Sequence, residues 1–213
     1  QEFESLNPMV TTTVASFYTY GFVGRGLVSI DAQGQWYPQM AKAIPSLENG
    51  GAKIATVDGQ KTIQATWEIN EKAQWNDGTP ITCADFQFTR NVADNDNVSV
   101  GSKEYFTVVK TVEWDPATPQ KCLFTYDKLR WDFYQLGHFF PLPKHLEEPI
   151  FEKHKNEKQG YEKNSNYVTN PTLPGLYNGP YQVAEVKLGS HVVFVPNSKY
   201  YGEAPKISKI LLK

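Results

Sequence analysis

The sequence predicts a mixed α/β fold, and three observations carry that prediction. Short segments of alternating apolar and polar residues lie between Gly, Asn and Asp turn signals, as half-buried antiparallel strands do. One stretch, from Thr82 to Val92, has a capping residue, an acid three positions on and helical spacing of its apolar side chains. A charged helical stretch and a further set of strands fill the last third. Strands and helices interleaved in this way belong to layered α/β or α+β architectures.

The elements follow in order. Leu6, Asn7 and Pro8 read as a turn, with Pro8 pushing Asn7 toward extended backbone. Val14, Phe17, Tyr18, Phe22 and Val23 then recur at near-helical spacing, which predicts a helix ending near Arg25. Residues 27–30 read as a short strand and 31–34 as its turn. Residues 39–44 read as one helical turn before Pro45. Residues 53–57 and 62–69 predict antiparallel strands joined by the Asp58, Gly59 turn, and 72–75 a further short extended piece. The Thr82 helix follows, then a polar loop over 94–102. Residues 106–114 and 121–126 predict a hairpin across Asp115 and Pro116. The aromatic stretch 131–140 reads as helical, ending at Pro141 and Pro143. Residues 144–160 read as mostly helical and 164–175 as irregular. Strands are predicted over 181–187, 191–195 and 207–212.

Composition narrows the function. Lys plus Arg total 21 and Asp plus Glu 23, a net charge of −2, which gives no electrostatic footprint for nucleic acid and argues against it as a partner. No run approaches the ~20 apolar residues of a membrane span, and Gln1, Glu2, Phe3 and Glu4 lack the pattern of a signal peptide. Aromatic residues make up 14% of the chain, which suits both β-rich cores and binding surfaces. Cys83 and Cys122 are not at metal spacing, and the four histidines form no close ligand set, so no metal or cofactor is expected.

Catalytic patterns are missing as well. The chain has no nucleophile elbow, no phosphate-cradling loop and no zinc-protease helix. Glu68, Asp77 and Asp85 are carboxylates of the kind glycosidases use, but Asp77 sits in a turn beside Gly78 and Asp85 where helix capping explains it. His145, beside Lys144 at a Pro-bounded helix start, reads as solvent-facing. The expectation is a binding protein and not an enzyme.

One motif points to a family. Trp75, Asn76, Asp77, Gly78, Thr79, Pro80, Ile81 and Thr82, with Asp85 and Phe86, resemble the signature of the family 5 extracellular solute-binding proteins, the oligopeptide, dipeptide and nickel binders. Cys83 and Ala84 depart from the family's Ala and acid. Three further segments agree in order: Leu6, Asn7 and Pro8; Gly26, Leu27 and Val28 with Asp31, Gly34 and Pro38; and Gly179, Pro180 and Tyr181 with Asn197, Tyr200, Tyr201, Gly202 and Pro205. Tyr201 stands where the family has Trp, and Tyr177 and Asn178 where it has Gly and Thr.

The resemblance implies a lobe like those of type II periplasmic binding proteins, a mixed sheet with helices, plus an inserted α+β subdomain. Residues 1–24 and 143–213 would form the core lobe and 25–142 the inserted subdomain. A second lobe would be absent, and the apolar run that closes the chain agrees with a fragment; a natural C-terminal strand docked in a sheet is the other reading. The implied function is the substrate-binding component of an ABC importer, a periplasmic protein or cell-surface lipoprotein freed of its signal peptide. As a monomer it would capture short peptides and deliver them to an inner-membrane permease. Nickel complexes, haem and oligosaccharide stay open as ligands, and a secreted carbohydrate-active enzyme or a sensor module as a different class.

The expected ligand-facing residues are Thr11, Thr12 and Thr13, which follow the Leu-Asn-Pro turn, and Asn178 and Gly179 on a second cleft loop. Thr and Asn also pair readily with their own loops. In the family the Thr82 helix packs near the strand of Cys122. Cys83 and Cys122 can therefore meet in a disulfide closing a loop of about 40 residues, or remain two separate buried thiols.

Overall fold

The computed structural model describes residues 5–10, 13–187 and 189–213. Helix α1 spans Val14–Val23. Thr13 starts it from extended backbone, its hydroxyl accepting the Ser16 N–H at 3.3 Å, which satisfies one of the free donors of a helix start. At the other end the Gly24 N–H donates to Tyr20 O. A Cβ on Gly24 would lie 1.9 Å from the Tyr20 ring, so only glycine lets the chain leave there. The Arg25 guanidinium donates to the carbonyls of Gly21 and Gly24 at 2.7 and 2.8 Å, placing a cation on the negative end of the helix. The expected helix is therefore present and ends two residues before Arg25.

Strands β1 (Val28–Ile30) and β2 (Trp36–Pro38) form a small hairpin. The helical turn expected over 39–44 does not form. The N–H groups of Gln39, Met40 and Ala41 donate to Leu27 O, and Lys42 N–H to Glu68 O. Donors taken by distant carbonyls cannot build a local helix, so tertiary pairing overrides the local pattern.

A four-stranded antiparallel sheet holds β3 (Ala52–Val57), β4 (Gln60–Glu68), β5 (Val109–Trp114) and β6 (Lys121–Tyr126), in the order β3-β4-β6-β5. Asp58 and Gly59, both at positive φ (51° and 78°), make the two-residue turn between β3 and β4. Helix α2 (Cys83–Asp94) packs on β5. Its Phe86 ring lies 5.9 Å from those of Phe124 and Phe139. The Sγ atoms of Cys83 and Cys122 are joined in a disulfide that ties the first turn of α2 to β6. The expected 106–114 strand begins at Val109, because Phe106 belongs to a short helix, α3 (Glu104–Thr107).

Residues 131–140, expected to be helical, form consecutive turns. Gln135 N–H donates to Asp132 O, Leu136 to Tyr134 and Phe139 to Leu136, with no i to i−4 bond among them. Phe133, Leu136 and Phe139 are buried at a spacing of three. The apolar period was real, but it belongs to a chain of turns.

Helices α4 (Lys144–His154), α5 (Gly160–Asn164) and α6 (Asn166–Thr169) follow. The fully buried Glu147 binds them together. Its carboxylate accepts from Tyr161 Oη at 2.8 Å, Ser165 Oγ at 2.7 Å and Asn166 N–H at 3.1 Å. Desolvation still raises its pKa, against the pull of those donors. The chain closes with an antiparallel sheet of β7 (Tyr181–Lys187), β8 (His191–Pro196) and β9 (Ile210–Leu212), in that order.

Candidate functional site

Thr13, Asn178 and Gly179 sit at opposite ends of α1. Thr13 caps its start, and its hydroxyl also donates to Ser16 Oγ at 2.9 Å. The N–H groups of Asn178 and Gly179 both donate to Val23 O, in the last turn, at 3.1 and 2.7 Å. A ten-residue helix is about 15 Å long, so the fold does not bring these expected site residues together. Thr11 and Thr12 lie outside the described residues.

Asn178 departs from its expected role. Its side chain is fully buried. Oδ1 accepts the Arg25 N–H at 2.8 Å, and Nδ2 donates to Arg25 O at 3.1 Å. An amide that satisfies both backbone groups of one residue is a joint between two chain segments, and it turns no donor toward a ligand. Gly179 completes the joint, since a Cβ there would come within 2.5 Å of the Val23 carbonyl carbon. The pairing is long-range, to Arg25 at the end of α1, and not to the residue's own loop.

The signature segment Trp75–Phe86 is also a joint. Asn76 Oδ1 accepts from Gly175 and Tyr177 N–H at 2.7 and 3.1 Å, and its Nδ2 donates to Gln182 Oε1 at 2.9 Å. Asp77 Oδ2 lies 2.9 Å from His145 Nε2. Burial works to raise the Asp77 pKa, but the Thr79 N–H and His145 outweigh it and hold the carboxyl below its usual range. Asp85 closes a capping box with Thr82 and accepts the Lys144 N–H at 3.0 Å. Its complete burial lifts the carboxyl to about 6, while the Thr82 and Lys144 donors pull the other way. Glu68 sits on the surface with Lys42 and Lys121. The three carboxylates weighed as catalytic groups therefore each have a structural partner.

The open face lies on α1. Ser16, Thr19, Tyr20 and Val23 point inward, whereas Val14, Phe17 and Tyr18 are 60%, 44% and 70% exposed. Surface helices ordinarily show the reverse. Phe17 meets His138 with ring centroids 5.1 Å apart, and His138 stacks on Tyr105 at 4.4 Å and 20°. Three segments, α1, α3 and the turns before Pro141, thus build one exposed ring stack. Tyr105 and His138 also line a cavity of about 230 Å³, together with Val108, Leu136 and Phe139 and the charged Glu104, Arg130 and Asp132. Burial lowers the His138 pKa below its ordinary value. The sequence offered only half of this signal, namely that α1 is apolar on both of its faces.

Residues 35–213 match the family model of the bacterial extracellular solute-binding proteins, family 5 (middle). The chain belongs to that family. A Brucella melitensis protein with a provisional binding-protein name is 27% identical over 94% of this chain and 30% of its own length. A Deinococcus radiodurans protein named "Probable ABC transporter-binding protein" is 24% identical over 98% of this chain and 33% of its own. Among solved structures, the oligopeptide-binding protein of Thermus thermophilus, complexed with a pentapeptide, superposes with a TM-score of 0.78 at 19% identity. That match covers 97% of this chain and 37% of the other. The family 5 chain described here thus spans about a third of the length of the proteins it matches, and it shares their mixed α/β fold.

Proposed function

We propose that this chain is one part of a longer, two-lobed substrate-binding component of an ABC importer that captures short peptides outside the cytoplasm. The observation that carries the reading is the family 5 match across residues 35–213. The exposed ring stack beside the α1 start, a surface that water covers poorly, supports it. In this reading residues 1–24 and 143–213 form the core lobe, and 25–142 the inserted subdomain. The peptide lies against the first lobe, a second lobe closes over it, and an inner-membrane permease reads the closed state. The protein works as a monomer in the periplasm or as a cell-surface lipoprotein. It carries out no chemistry of its own. The segment of Thr11, Thr12 and Thr13 pairs with the peptide main chain, the Thr13 hydroxyl itself being taken up in capping α1; Gly179 contributes by holding the C-terminal end of α1 in place.

Calorimetry with di- and tripeptides tests this, using the full-length polypeptide and residues 1–213 side by side. The full-length protein should bind and the isolated residues should bind weakly or not at all, because half a clamp cannot desolvate its ligand. Micromolar or tighter binding by residues 1–213 would overturn the two-lobe argument. Uptake that survives replacement of Thr12 by a bulky residue would remove the threonine segment from the site.

A further inference from the structure

We propose that the ring stack of Phe17, His138 and Tyr105, extended by Tyr18, is the wall against which an apolar or aromatic side chain of the captured peptide packs, making the protein selective for peptides that carry one. The inference rests on the peptide-binding reading above and adds a preference to it.

The rings come from three separated segments and still align. Phe17 and His138 are 5.1 Å apart, His138 and Tyr105 4.4 Å, and Tyr18 meets Phe17 edge-on at 6.3 Å and 62°. Such alignment requires all three segments to be held in place. The structure holds α3 to the turns through Phe106 and Phe139, the buried neighbours of Tyr105 and His138, whose rings lie 5.6 Å apart, and α1 to the turns through Tyr20 and Phe140, 4.9 Å apart. The outer faces nevertheless stay open, with Tyr18 70% and Tyr105 43% exposed. Aromatic surface of this kind is what ligand and partner sites use, since a ring buries much area while losing little freedom.

The chemistry of the wall fixes the class of occupant. None of its four residues forms an ion pair among the described residues, so the wall offers flat ring faces and no fixed charge to pair with a carboxylate. Hydroxyl and imidazole edges sit only at the margins of flat apolar faces. One helical turn away Thr13 caps the start of α1, its carbonyl accepting the Phe17 N–H. The cavity lined by Tyr105 and His138 leaves room for a side chain beside the rings.

The test is calorimetry on the full-length polypeptide with three tripeptides that differ only at the central residue: alanine, phenylalanine or aspartate. The phenylalanine peptide should bind about tenfold more tightly than the alanine peptide, the scale of one good ring contact. His138→Ala and Tyr105→Ala should bring that ratio close to one, by weakening the phenylalanine peptide more than the alanine peptide. His138→Phe should preserve the ratio, because it keeps the ring. Equal binding of the phenylalanine and alanine peptides by the unmodified protein would overturn the preference and leave the peptide reading standing. Equal loss for every peptide in both alanine variants would also overturn it, and would assign the wall to contact with the rest of the polypeptide on closure. Binding of none of the three would sink the peptide reading, and the preference with it.

Discussion

Removing the link between Cys83 and Cys122 should cost the fold about 4 kcal/mol. The two residues are 39 apart in sequence, and closing a loop of that length removes chain entropy from the unfolded state on the order of 13 cal/mol/K, or ~4 kcal/mol at 25 °C. Native-state geometry does not reduce the gain by forcing the chain, since the Cα atoms lie 5.4 Å apart, within the usual range for a bridge. Both cysteines are fully buried, so the double variant Cys83→Ala, Cys122→Ala adds a small cavity cost in the same direction. For a chain of 213 residues unfolding entropy near 60 °C is about 0.45 kcal/mol/K, so the expected drop in melting temperature is about 9 °C. Thermal denaturation by circular dichroism, with and without reductant and for the double variant, measures it. Thiol titration of the unreduced, denatured protein should find no free thiol. Two free thiols, or a double variant that melts within a degree or two of the parent, would refute the reasoning.

Three further changes test the joints. Asn178→Ala leaves the Arg25 N–H and carbonyl without their side-chain partner in a partly buried site and should cost about 1–3 kcal/mol in urea denaturation; no measurable loss would mean water replaces the amide. Gly179→Ala drives a Cβ to 2.5 Å from the Val23 carbonyl carbon and should cost about 1–3 kcal/mol by overpacking, again read from the urea midpoint. Asp85 carries a pH dependence: its folded pKa, about 6, lies above the ordinary 3.8, so the folded state binds the proton more tightly. That stabilisation is fully present below about pH 4 and is lost as pH rises through 6, at a cost of about 2–3 kcal/mol. Asp85→Asn should remove this slope from stability measured between pH 4 and 7, and a variant with an unchanged slope would show that another group titrates there.

The elements that could be read in the sequence are those whose causes are local. The α2 helix was legible because Thr82 and Asp85 form a capping box within four residues, and β3 and β4 because the Asp58, Gly59 turn fixes their pairing. Residues 39–44 were misread because their donors answer to Leu27 and Glu68. Residues 131–140 were misread because turns with a period of three bury the same apolar positions that a helix would. At the site, Asn178 is expected on the ligand, whereas its side chain pairs with both backbone groups of Arg25, 153 residues away in sequence, and with Met40 Sδ. The ring stack was invisible because Phe17, Tyr105 and His138 are ordinary residues that become a surface only when three segments meet.

The signature segment is thereby explained by its partners. Asn76, Asp77 and Asp85 reach across to Gly175, Tyr177, Gln182, His145 and Lys144, all beyond residue 143. The segment itself lies between the β3–β4 hairpin and α2, so it fastens the four-stranded sheet with its helix to the later helices and the last sheet. A motif with that task constrains position and says little about ligand, because Asn76, Asp77 and Asp85 are already paired within the chain. On the reading proposed above, selectivity is written where side chains still face outward, on the outer face of α1 and the rings beside it. Members of one family can then keep the fastening and change the wall. Buried polar side chains that lose a partner cost stability directly, whereas an exposed ring can be exchanged at little cost to the fold.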